Sequence, residues 1–527
     1  MSSELVSKEA GIRLLKQGKR GLFHMVFSRM GVIVLMLVTQ VFAFFWMLQV
    51  FQEYLPHIYG GMAVLTALLV LYLINTASNP TVKISWLILL MIVPVFGVLM
   101  YVYTKMDLGH RVLKARVHYL VRESVRLIPE NVTVQRMLGG ECAELANLAH
   151  YIRSTGYSSA YQRTEVTYFA SGEEKFPRLL EELERAKHFI FLEYFIIREG
   201  LMWGEVLEIL ARKAKQGVEV RVMYDGTCEF SMLPHDYPKR LKQLGISCKM
   251  FEPLRPFLST HYNYRDHRKI VVIDGHTAFT GGINLADEYI NREERFGYWK
   301  DTAIMLKGDA VPEFTLMFLQ LWSVSEKTCD FIKYLSYPTL PPENTKGFVI
   351  PYGDIPLDSH KVGKMVYMDL LNHAQRYIYI MTPYLILDGE METALRFAAE
   401  RGVDVRLILP GIPDKKTAYA LAKTHYASLL SAGVRLYEFT PGFVHAKVFV
   451  SDDKKAVVGT INLDYRSLYH HFECAAYLYD MPVIEEIKED VERTLRQCRT
   501  VTWETIRREP WYVKLAGRLL KVIAPLM

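Results

Sequence analysis

The fold is decided by two stretches, His188-Phe-Ile-Phe-Leu-Glu-Tyr-Phe195 and Gly217-Val-Glu-Val-Arg-Val-Met-Tyr224, which are apolar, rich in β-forming residues and separated by one amphipathic helical segment. The same order returns in Arg376-Tyr-Ile-Tyr-Ile-Met-Thr-Pro-Tyr384 and Gly402-Val-Asp-Val-Arg-Leu-Ile-Leu409. Because a strand, a helix and a second strand in succession indicate a βαβ unit, each copy predicts an α/β domain with a parallel or mixed sheet. The proline-rich stretch Tyr337-Pro-Thr-Leu-Pro-Pro-Glu343 is the predicted boundary between the two domains.

A motif H-x-K-x4-D occurs once in each half, and a glycine and an asparagine follow both copies at the same spacing. Its residues are His267, Lys269, Asp274 and Asn284 in the first half, and His445, Lys447, Asp452 and Asn462 in the second. A single motif of this kind is expected by chance at about 10⁻⁴ per position. Two matched copies inside an independent repeat therefore indicate a functional site.

The alternation of side chains along a strand places the histidine and lysine of each motif apart from its aspartate. Residues two apart share one face of a strand, so His267 and Lys269 are predicted to point the same way, and the second copy follows the same rule. The aspartate comes seven residues after the histidine, on the other face or in the hairpin turn. Asp274 and Asp452 complete the motifs, but we expect them to brace the hairpins rather than to touch substrate.

The motif residues suit chemistry on a phosphodiester. Lysines and asparagines stabilise charge on the non-bridging oxygens, which makes Lys269, Asn284, Lys447 and Asn462 the predicted phosphate-binding residues. One histidine can attack phosphorus, while the other protonates the leaving alkoxide and later deprotonates an incoming alcohol. The sequence contains no carboxylate cluster or His/Cys set with metal-ligand spacing, so neither a metal nor another cofactor is expected.

The composition of the chain points to a membrane-associated protein with globular domains. Half of its 527 residues are apolar, which is too many for an ordinary soluble enzyme, yet 23% are charged. The net charge of +6 fits an anionic membrane surface and does not require nucleic acid. Six scattered cysteines without a CxxC pair exclude a disulfide framework or a zinc ribbon, and they suit a reducing compartment.

The apolar excess lies near the N terminus. Segments 31–51 and 84–104 are uncharged and long enough to cross about 30 Å of hydrocarbon, while 59–75 is a shorter candidate. Lys and Arg are in excess in residues 1–30 and 105–126, so the positive-inside rule places both flanks in the cytoplasm. The sequence therefore predicts two full spans and one re-entrant or interfacial segment, with 59–75 the weakest candidate for a span.

The predicted organisation has six parts. They are a basic cytoplasmic segment at 1–30, membrane segments at 31–104, a basic connecting segment at 105–160, a first α-β-α domain at 161–340, a second at 341–500, and a basic amphipathic segment at 501–527. In the last part, Lys514, Arg518 and Lys521 are three to four residues apart. This spacing is typical of a helix on anionic lipid, and a helix packed on the second domain explains it equally well.

The paired motifs resemble those of the phospholipase D superfamily, and the whole chain is similar to the bacterial cardiolipin synthases within it. The resemblance is carried by Asn263-Tyr-Arg-Asp-His-Arg-Lys-Ile270, Gly281-Gly-Ile-Asn284, Thr382-Pro-Tyr384, Gly459-Thr-Ile-Asn-Leu-Asp-Tyr-Arg-Ser-Leu468, Phe472-Glu473 and the C-terminal Ile523-Ala-Pro-Leu526. It implies two tandem phospholipase D-like domains with pseudo-two-fold symmetry. Two departures are an additional apolar segment before the usual membrane hairpin, and His471 where the family usually shows asparagine.

The resemblance implies transfer of a phosphatidyl group. One phosphatidylglycerol would donate this group to His267 and release glycerol, and the terminal hydroxyl of a second would attack the phosphohistidine, with His445 as acid and base. Glu473 and Asp301 match acidic positions that are expected to orient the histidines. The resemblance also implies a multi-pass protein of the bacterial cell membrane, with phospholipid substrates and cytoplasmic catalytic domains.

Two alternatives use the same fold. The first is hydrolysis at the same site, by a phospholipase D or by a phosphodiesterase acting on nucleic acid. Against the nucleic acid, the basic residues cluster at the membrane flanks and not along a groove interleaved with aromatic residues. The second is a non-catalytic membrane scaffold, which would not need intact histidine, lysine and asparagine in both halves.

Overall fold

The computed structural model describes Leu14, six residues between 38 and 49, and residues 55–526 apart from 77–78, 93–96, 99, 103–107, 129, 231, 253–263 and 344. Its α-helices are α1 (Leu55–Asn75), α2 (Pro80–Ile92), α3 (Leu108–Val125), α4 (Val132–Glu141), α5 (Ala143–Thr155), α6 (Gly172–Arg185), α7 (Leu201–Lys215), α8 (Tyr237–Gln243), α9 (Val311–Trp322), α10 (Phe331–Leu335), α11 (Val362–His373), α12 (Gly389–Glu400), α13 (Lys416–Ser431), α14 (Tyr465–Tyr469), α15 (Val483–Leu495), α16 (Trp503–Arg508) and α17 (Trp511–Ile523). Short 3-10 helices span Gly226–Phe230, Asp287–Ile290, Ser323–Ser325 and Ala524–Leu526.

The strands alternate with these helices. They are β1 (Thr164–Phe169), β2 (Phe189–Tyr194), β3 (Glu219–Asp225), β4 (Ser247–Phe251), β5 (Arg265–Asp266), β6 (Lys269–Ile273), β7 (Thr277–Gly281), β8 (Tyr298–Lys300), β9 (Ala303–Gly308), β10 (Phe348–Asp354), β11 (Tyr377–Met381), β12 (Asp404–Pro410), β13 (Arg435–Phe439), β14 (Gly442–Val444), β15 (Val448–Ser451), β16 (Lys455–Gly459), β17 (His471–Tyr479) and β18 (Cys498–Thr500). Each predicted βαβ unit is present, as β2-α7-β3 in the first half and β11-α12-β12 in the second.

The two halves share one sheet topology. The first sheet has the order β1-β9-β7-β6-β2-β3-β4, and the second has β10-β17-β16-β15-β11-β12-β13-β18. In each sheet the first strand of the βαβ unit pairs parallel with the second and antiparallel with the strand of the motif. The prediction of two tandem α/β domains is confirmed.

The two sheets face each other across a shared apolar layer. Alternate residues of β6 and β15, Val272 and Val450 among them, join one cluster that also contains α9 and α15. The outward residues Val271 and Phe449 belong to two separate clusters, one for each half. Because both sheets contribute to the middle cluster, burial of apolar surface holds the halves together face to face.

The N-terminal helices dock on the second half. Helices α1 and α2 pack against each other, and the Asn79 amide donates a hydrogen bond of 2.8 Å to the Tyr469 hydroxyl. The Ser85 hydroxyl donates to the carbonyl of Val522 at 2.6 Å. Helix α17 also packs along α13, as a helix covering the second domain would.

The structure describes only part of the predicted membrane segments. Among the residues that it describes, no helix is both long and apolar enough to cross a membrane. Helix α2 (Pro80–Ile92) overlaps the predicted segment 84–104, of which residues 93–96, 99 and 103–104 lie outside the described part of the chain. The predicted span 31–51 lies outside the described residues apart from a few single positions.

Asp274 and Asp452 brace the two hairpins, as strand parity predicts. The Asp274 carboxylate accepts hydrogen bonds of 2.7–2.8 Å from the backbone N–H groups of Lys187, His188 and Phe189. The Asp452 carboxylate accepts three equivalent bonds of 2.8–3.1 Å from residues 375–377. Each aspartate thus ties the end of the motif hairpin to the first residues of the βαβ unit.

We therefore expect Asp452→Ala to lower the free energy of unfolding rather than to act directly on the rate of the reaction. Removing the acceptor of three backbone N–H groups should cost about 2 kcal/mol and lower the unfolding midpoint by about 4–8 °C. Thermal unfolding of the detergent-purified protein measures this shift, with Lys454→Ala in the exposed part of the same turn as the control. Equal midpoints for the two variants would contradict the bracing role.

Candidate active site

The two motif histidines lie just before β6 and β15, where each half contacts the other. The backbone N–H of His267 donates to the carbonyl of Phe472 at 3.0 Å, and that of His445 donates to Lys300 at 2.7 Å. Short parallel bridges continue these contacts, β5 with β17 and β8 with β14. Each histidine is therefore anchored to a strand of the opposite half.

Each histidine also takes its carboxylate partner from the opposite half. Nδ1 of His267 lies 3.0 Å from Oε2 of Glu473, and Nδ1 of His445 lies 2.6 Å from Oδ2 of Asp301. Both carboxylates are completely buried. A carboxylate on Nδ1 fixes the tautomer and the ring orientation, which leaves Nε2 as the nitrogen for chemistry.

Small residues and hydroxyls position the two carboxylates. A Cβ at Gly282 would lie 2.0 Å from Oδ1 of Asp301, so that only glycine fits beside this carboxylate. The same oxygen accepts a hydrogen bond of 2.8 Å from the N–H of Thr302. On the other side, the Thr460 hydroxyl donates to Glu473.

Burial keeps both histidines neutral at physiological pH. It lowers the pKa of His267 well below its usual value, and the Lys269 ammonium adds to this effect, while Glu473 opposes it. Burial, together with Lys447, lowers the pKa of His445 to about 4. A neutral imidazole is the form that can attack phosphorus.

The two motif lysines share one buried environment. The Nζ of Lys269 donates to the His267 carbonyl at 2.5 Å, and the Nζ of Lys447 lies 2.9 Å from Nδ1 of His445. Burial is the main reason that the pKa of Lys269 falls to about 8 and that of Lys447 to about 7. The charge of Lys269 also lowers the pKa values of Lys447 and His445, so the two motifs lie within each other's electrostatic field.

The two motif asparagines differ in their contacts. Asn284 accepts from the N–H of Ile196 at 3.0 Å, and its amide donates to the Tyr289 hydroxyl at 2.7 Å. The Tyr289 ring lies 5.4 Å from the His445 ring. Oδ1 of the buried Asn462 has no hydrogen-bond partner among the described residues. Asn284 is thus held by hydrogen bonds to Ile196 and Tyr289, whereas the side-chain carbonyl of Asn462 is unpaired among the described residues.

Two aromatic residues of the site were not singled out by the sequence. The Phe195 ring packs edge-on against His267 at 4.9 Å and lies 5.4 Å from Nζ of Lys269. Phe195 could have been found from the sequence, because it is the last residue of the first repeated stretch. Tyr289 has no such signal, because the second half shows no matching tyrosine at that spacing.

His471, which the sequence marks only as a departure, lies beside His267. Their ring centroids are 5.4 Å apart, and Nδ1 of His471 lies 3.6 Å from Oε1 of Glu473. The three side chains offer ligand atoms within 4.8 Å of one another. The sequence predicts no set of histidines with metal-ligand spacing. Folding nevertheless brings His267 next to His471 and Glu473 on β17, so the three side chains form such a set in space.

Comparison with known proteins agrees with this geometry. Residues 179–322 and 367–495 match the family described as "Cardiolipin synthase, PLD-like domain", and residues 64–103 match the phospholipase D-nuclease N-terminal family. An uncharacterized protein of Streptococcus mutans is 56% identical over 87% of this chain and 99% of its own length. A cardiolipin synthase of a Geobacillus species is 34% identical over 89% of this chain and 94% of its own.

The fold has a counterpart among solved structures. The crystal structure of phosphatidylserine synthase from Haemophilus influenzae aligns with a TM-score of 0.54 at 16% identity, over 70% of this chain and 94% of that chain. The fold and the paired motifs define a protein of the phospholipase D superfamily. Within that superfamily, the chain belongs to the family of phospholipase D-like cardiolipin synthases.

We expect Gly282→Ala to disable the site without unfolding the protein. The added methyl would displace the Asp301 carboxylate from His445, and loss of this orientation should lower the rate of phospholipid turnover about 100-fold. Gly140→Ala is the control, because a Cβ there meets nothing within 4 Å among the described residues. Turnover in Gly282→Ala within twofold of wild type would contradict the role of Asp301.

Proposed function

We propose that this protein joins two phosphatidylglycerol molecules into cardiolipin and releases glycerol. The observation that carries the proposal is the pair of buried histidines, each with Nδ1 on a carboxylate of the opposite half and a lysine beside it. Such a pair provides one nucleophile and one acid/base group, as a two-step exchange at phosphorus requires. The cardiolipin synthase relatives support the choice of substrates.

In the first step, Nε2 of His267 attacks the phosphorus of one phosphatidylglycerol. The N–P bond forms while the P–O bond to the glycerol headgroup breaks, and His445 gives its proton to the departing oxygen. His445 is neutral in the free protein, but the anionic phosphodiester together with Asp301 favours its protonation in the complex. Free glycerol leaves, and a phosphatidyl group remains on His267.

In the second step, the terminal hydroxyl of another phosphatidylglycerol attacks the phosphohistidine. His445, which is now neutral, takes the hydroxyl proton, the new P–O bond forms and the N–P bond breaks. His267 is regenerated, and the two phosphatidyl groups share one glycerol. Lys269 and Lys447, with the amides of Asn284 and Asn462, stabilise the negative oxygens of both transition states.

We also propose that residues 31–104 anchor the protein in the bacterial cell membrane as a multi-pass segment, with the catalytic domains in the cytoplasm. The uncharged segments and the excess of Lys and Arg on both flanks support this topology. The described part of the chain adds exposed apolar side chains on α1, α2 and α17, such as Leu68, Met91 and Trp511. An anchor in the membrane keeps the enzyme where lipid hydroxyl groups can compete with water.

Purified protein supplied with headgroup-labelled phosphatidylglycerol tests the reaction. We expect cardiolipin and glycerol in equal amounts, and at least a 10³-fold loss of both in His267→Ala and in His445→Ala, because neither step proceeds without its nucleophile or its acid. Mass spectrometry quantifies the products. Phosphatidic acid in place of cardiolipin would identify a hydrolase, and no turnover of any phospholipid would support the scaffold.

The same reaction allows the nucleophile to be assigned. Rapid quenching of wild-type protein during turnover, followed by peptide mapping at alkaline pH, should locate the phosphatidyl group on the peptide that contains His267. A group found on the peptide of His445 would exchange the two roles. The control is His360→Asn, which changes an exposed histidine outside the site and should leave the labelled peptide the same.

The lowered pKa values of the lysines predict an alkaline limit of activity. As the pH rises through about 7 and 8, Lys447 and then Lys269 lose their charges, so kcat/KM, which reports the free enzyme, should fall. Lys447→Arg stays charged and should shift the start of this fall from near pH 7 towards pH 8. Profiles of kcat/KM from about pH 6 to about pH 9 measure it. If kcat/KM of Lys447→Arg fell over the same alkaline range as that of wild type, Lys447 would not be the group that causes the fall near pH 7.

A further inference from the structure

The halves differ at one position beside the histidines. His267 donates its backbone N–H to Phe472, and His445 donates to Lys300, so the residues that precede these carbonyls, His471 and Trp299, are equivalent. The Trp299 ring lies 5.6 Å from the His445 ring, much as the His471 ring lies 5.4 Å from the His267 ring. The ring beside His267 is therefore a second imidazole, whereas the ring beside His445 is an indole.

His471 has no partner that explains its burial. Its side chain is 8% exposed, and neither ring nitrogen has a hydrogen-bond partner in the described part of the chain. Oε1 of Glu473, which is also buried, lies 3.0 Å from Nδ1 of His267 and 3.6 Å from Nδ1 of His471. A buried imidazole without a hydrogen bond is costly, so the arrangement calls for a group between these three side chains.

We propose that His267, His471 and Glu473 form an inhibitory site for a divalent transition metal such as Zn²⁺. Two imidazoles and a carboxylate are a ligand set that zinc accepts, with the fourth position left to water. Tetrahedral zinc with bonds of about 2.0 Å sets its ligand atoms about 3.3 Å apart, between the two distances measured here. The Lys269 ammonium opposes a cation at this site and so weakens its binding.

Occupation of this site would switch off the nucleophile, and this consequence rests on the proposed function. A metal ion on Nδ1 of His267 replaces the hydrogen bond to Glu473. The one proton of the neutral imidazole then resides on Nε2, which has no lone pair left to attack phosphorus. The enzyme would lose its first step while substrate could still reach the pocket, and removal of the metal would restore it.

Metal binding can be tested without reference to activity. Full-length protein in detergent is stripped with a chelator and dialysed against micromolar Zn²⁺, and the bound zinc is counted by mass spectrometry. We expect one zinc ion per chain in wild type and in His360→Asn, and at least tenfold weaker binding in His471→Asn. Equal binding by wild type and His471→Asn, or no binding by wild type, would overturn the site.

Wild-type protein alone provides a second readout in case His471→Asn does not fold. Co²⁺ in place of Zn²⁺ should give the visible absorption of tetrahedral cobalt, and the absence of this absorption would contradict the proposed metal site.

The effect of the metal on activity is a separate measurement. Zn²⁺ should inhibit cardiolipin formation over the range in which it binds, with reversal by chelator and at least a tenfold higher inhibitory concentration in His471→Asn. If zinc binds but the metal-free protein turns over no lipid, the proposed function is refuted and the metal site is retained.

Discussion

The active site depends on an exchange of side chains between two halves that are similar in fold. His267 needs Glu473, and His445 needs Asp301, and in both pairs the carboxylate comes from the other half. Separation of the halves would remove the carboxylate that orients each histidine, so neither imidazole would keep its tautomer and orientation. The shared apolar layer between the sheets is therefore what holds the chemistry in place. Neither domain contains a complete site.

Much of the fold could be predicted from the sequence because its signals are local. The apolar, β-forming residues of the repeated stretches predicted β2, β3, β11 and β12, and the spacing of histidine and aspartate predicted that the aspartate lies on the other face or in the turn. The resemblance of the motifs to one superfamily then supplied the pairing of the two halves. The carboxylates Glu473 and Asp301 were named on that basis, without the knowledge that each serves the opposite half.

The remaining features depend on contacts between distant residues. No local pattern reveals that Gly282 must lack a side chain because of Asp301, or that the Asn284 amide faces the Tyr289 hydroxyl. The cluster of His267 with His471 joins residues from different halves, so ligand spacing along the chain could not show it. The membrane spans stay a prediction from hydropathy and charge, since none of the described helices is both long and apolar enough to cross a membrane.

The different roles proposed for the two histidines have to come from residues outside the motifs. Both motifs are identical at their defining positions, and both lysines donate to the backbone carbonyl of their own histidine, but only Lys447 also lies within hydrogen-bond distance of Nδ1 of that histidine. The ring beside His267 is an imidazole, and the ring beside His445 is an indole. A symmetric pair of imidazoles would compete for both roles in the exchange. In the proposed reaction, unequal neighbours would let one ring stay a nucleophile while the other gains and loses a proton, so we attribute the proposed asymmetry to these neighbours.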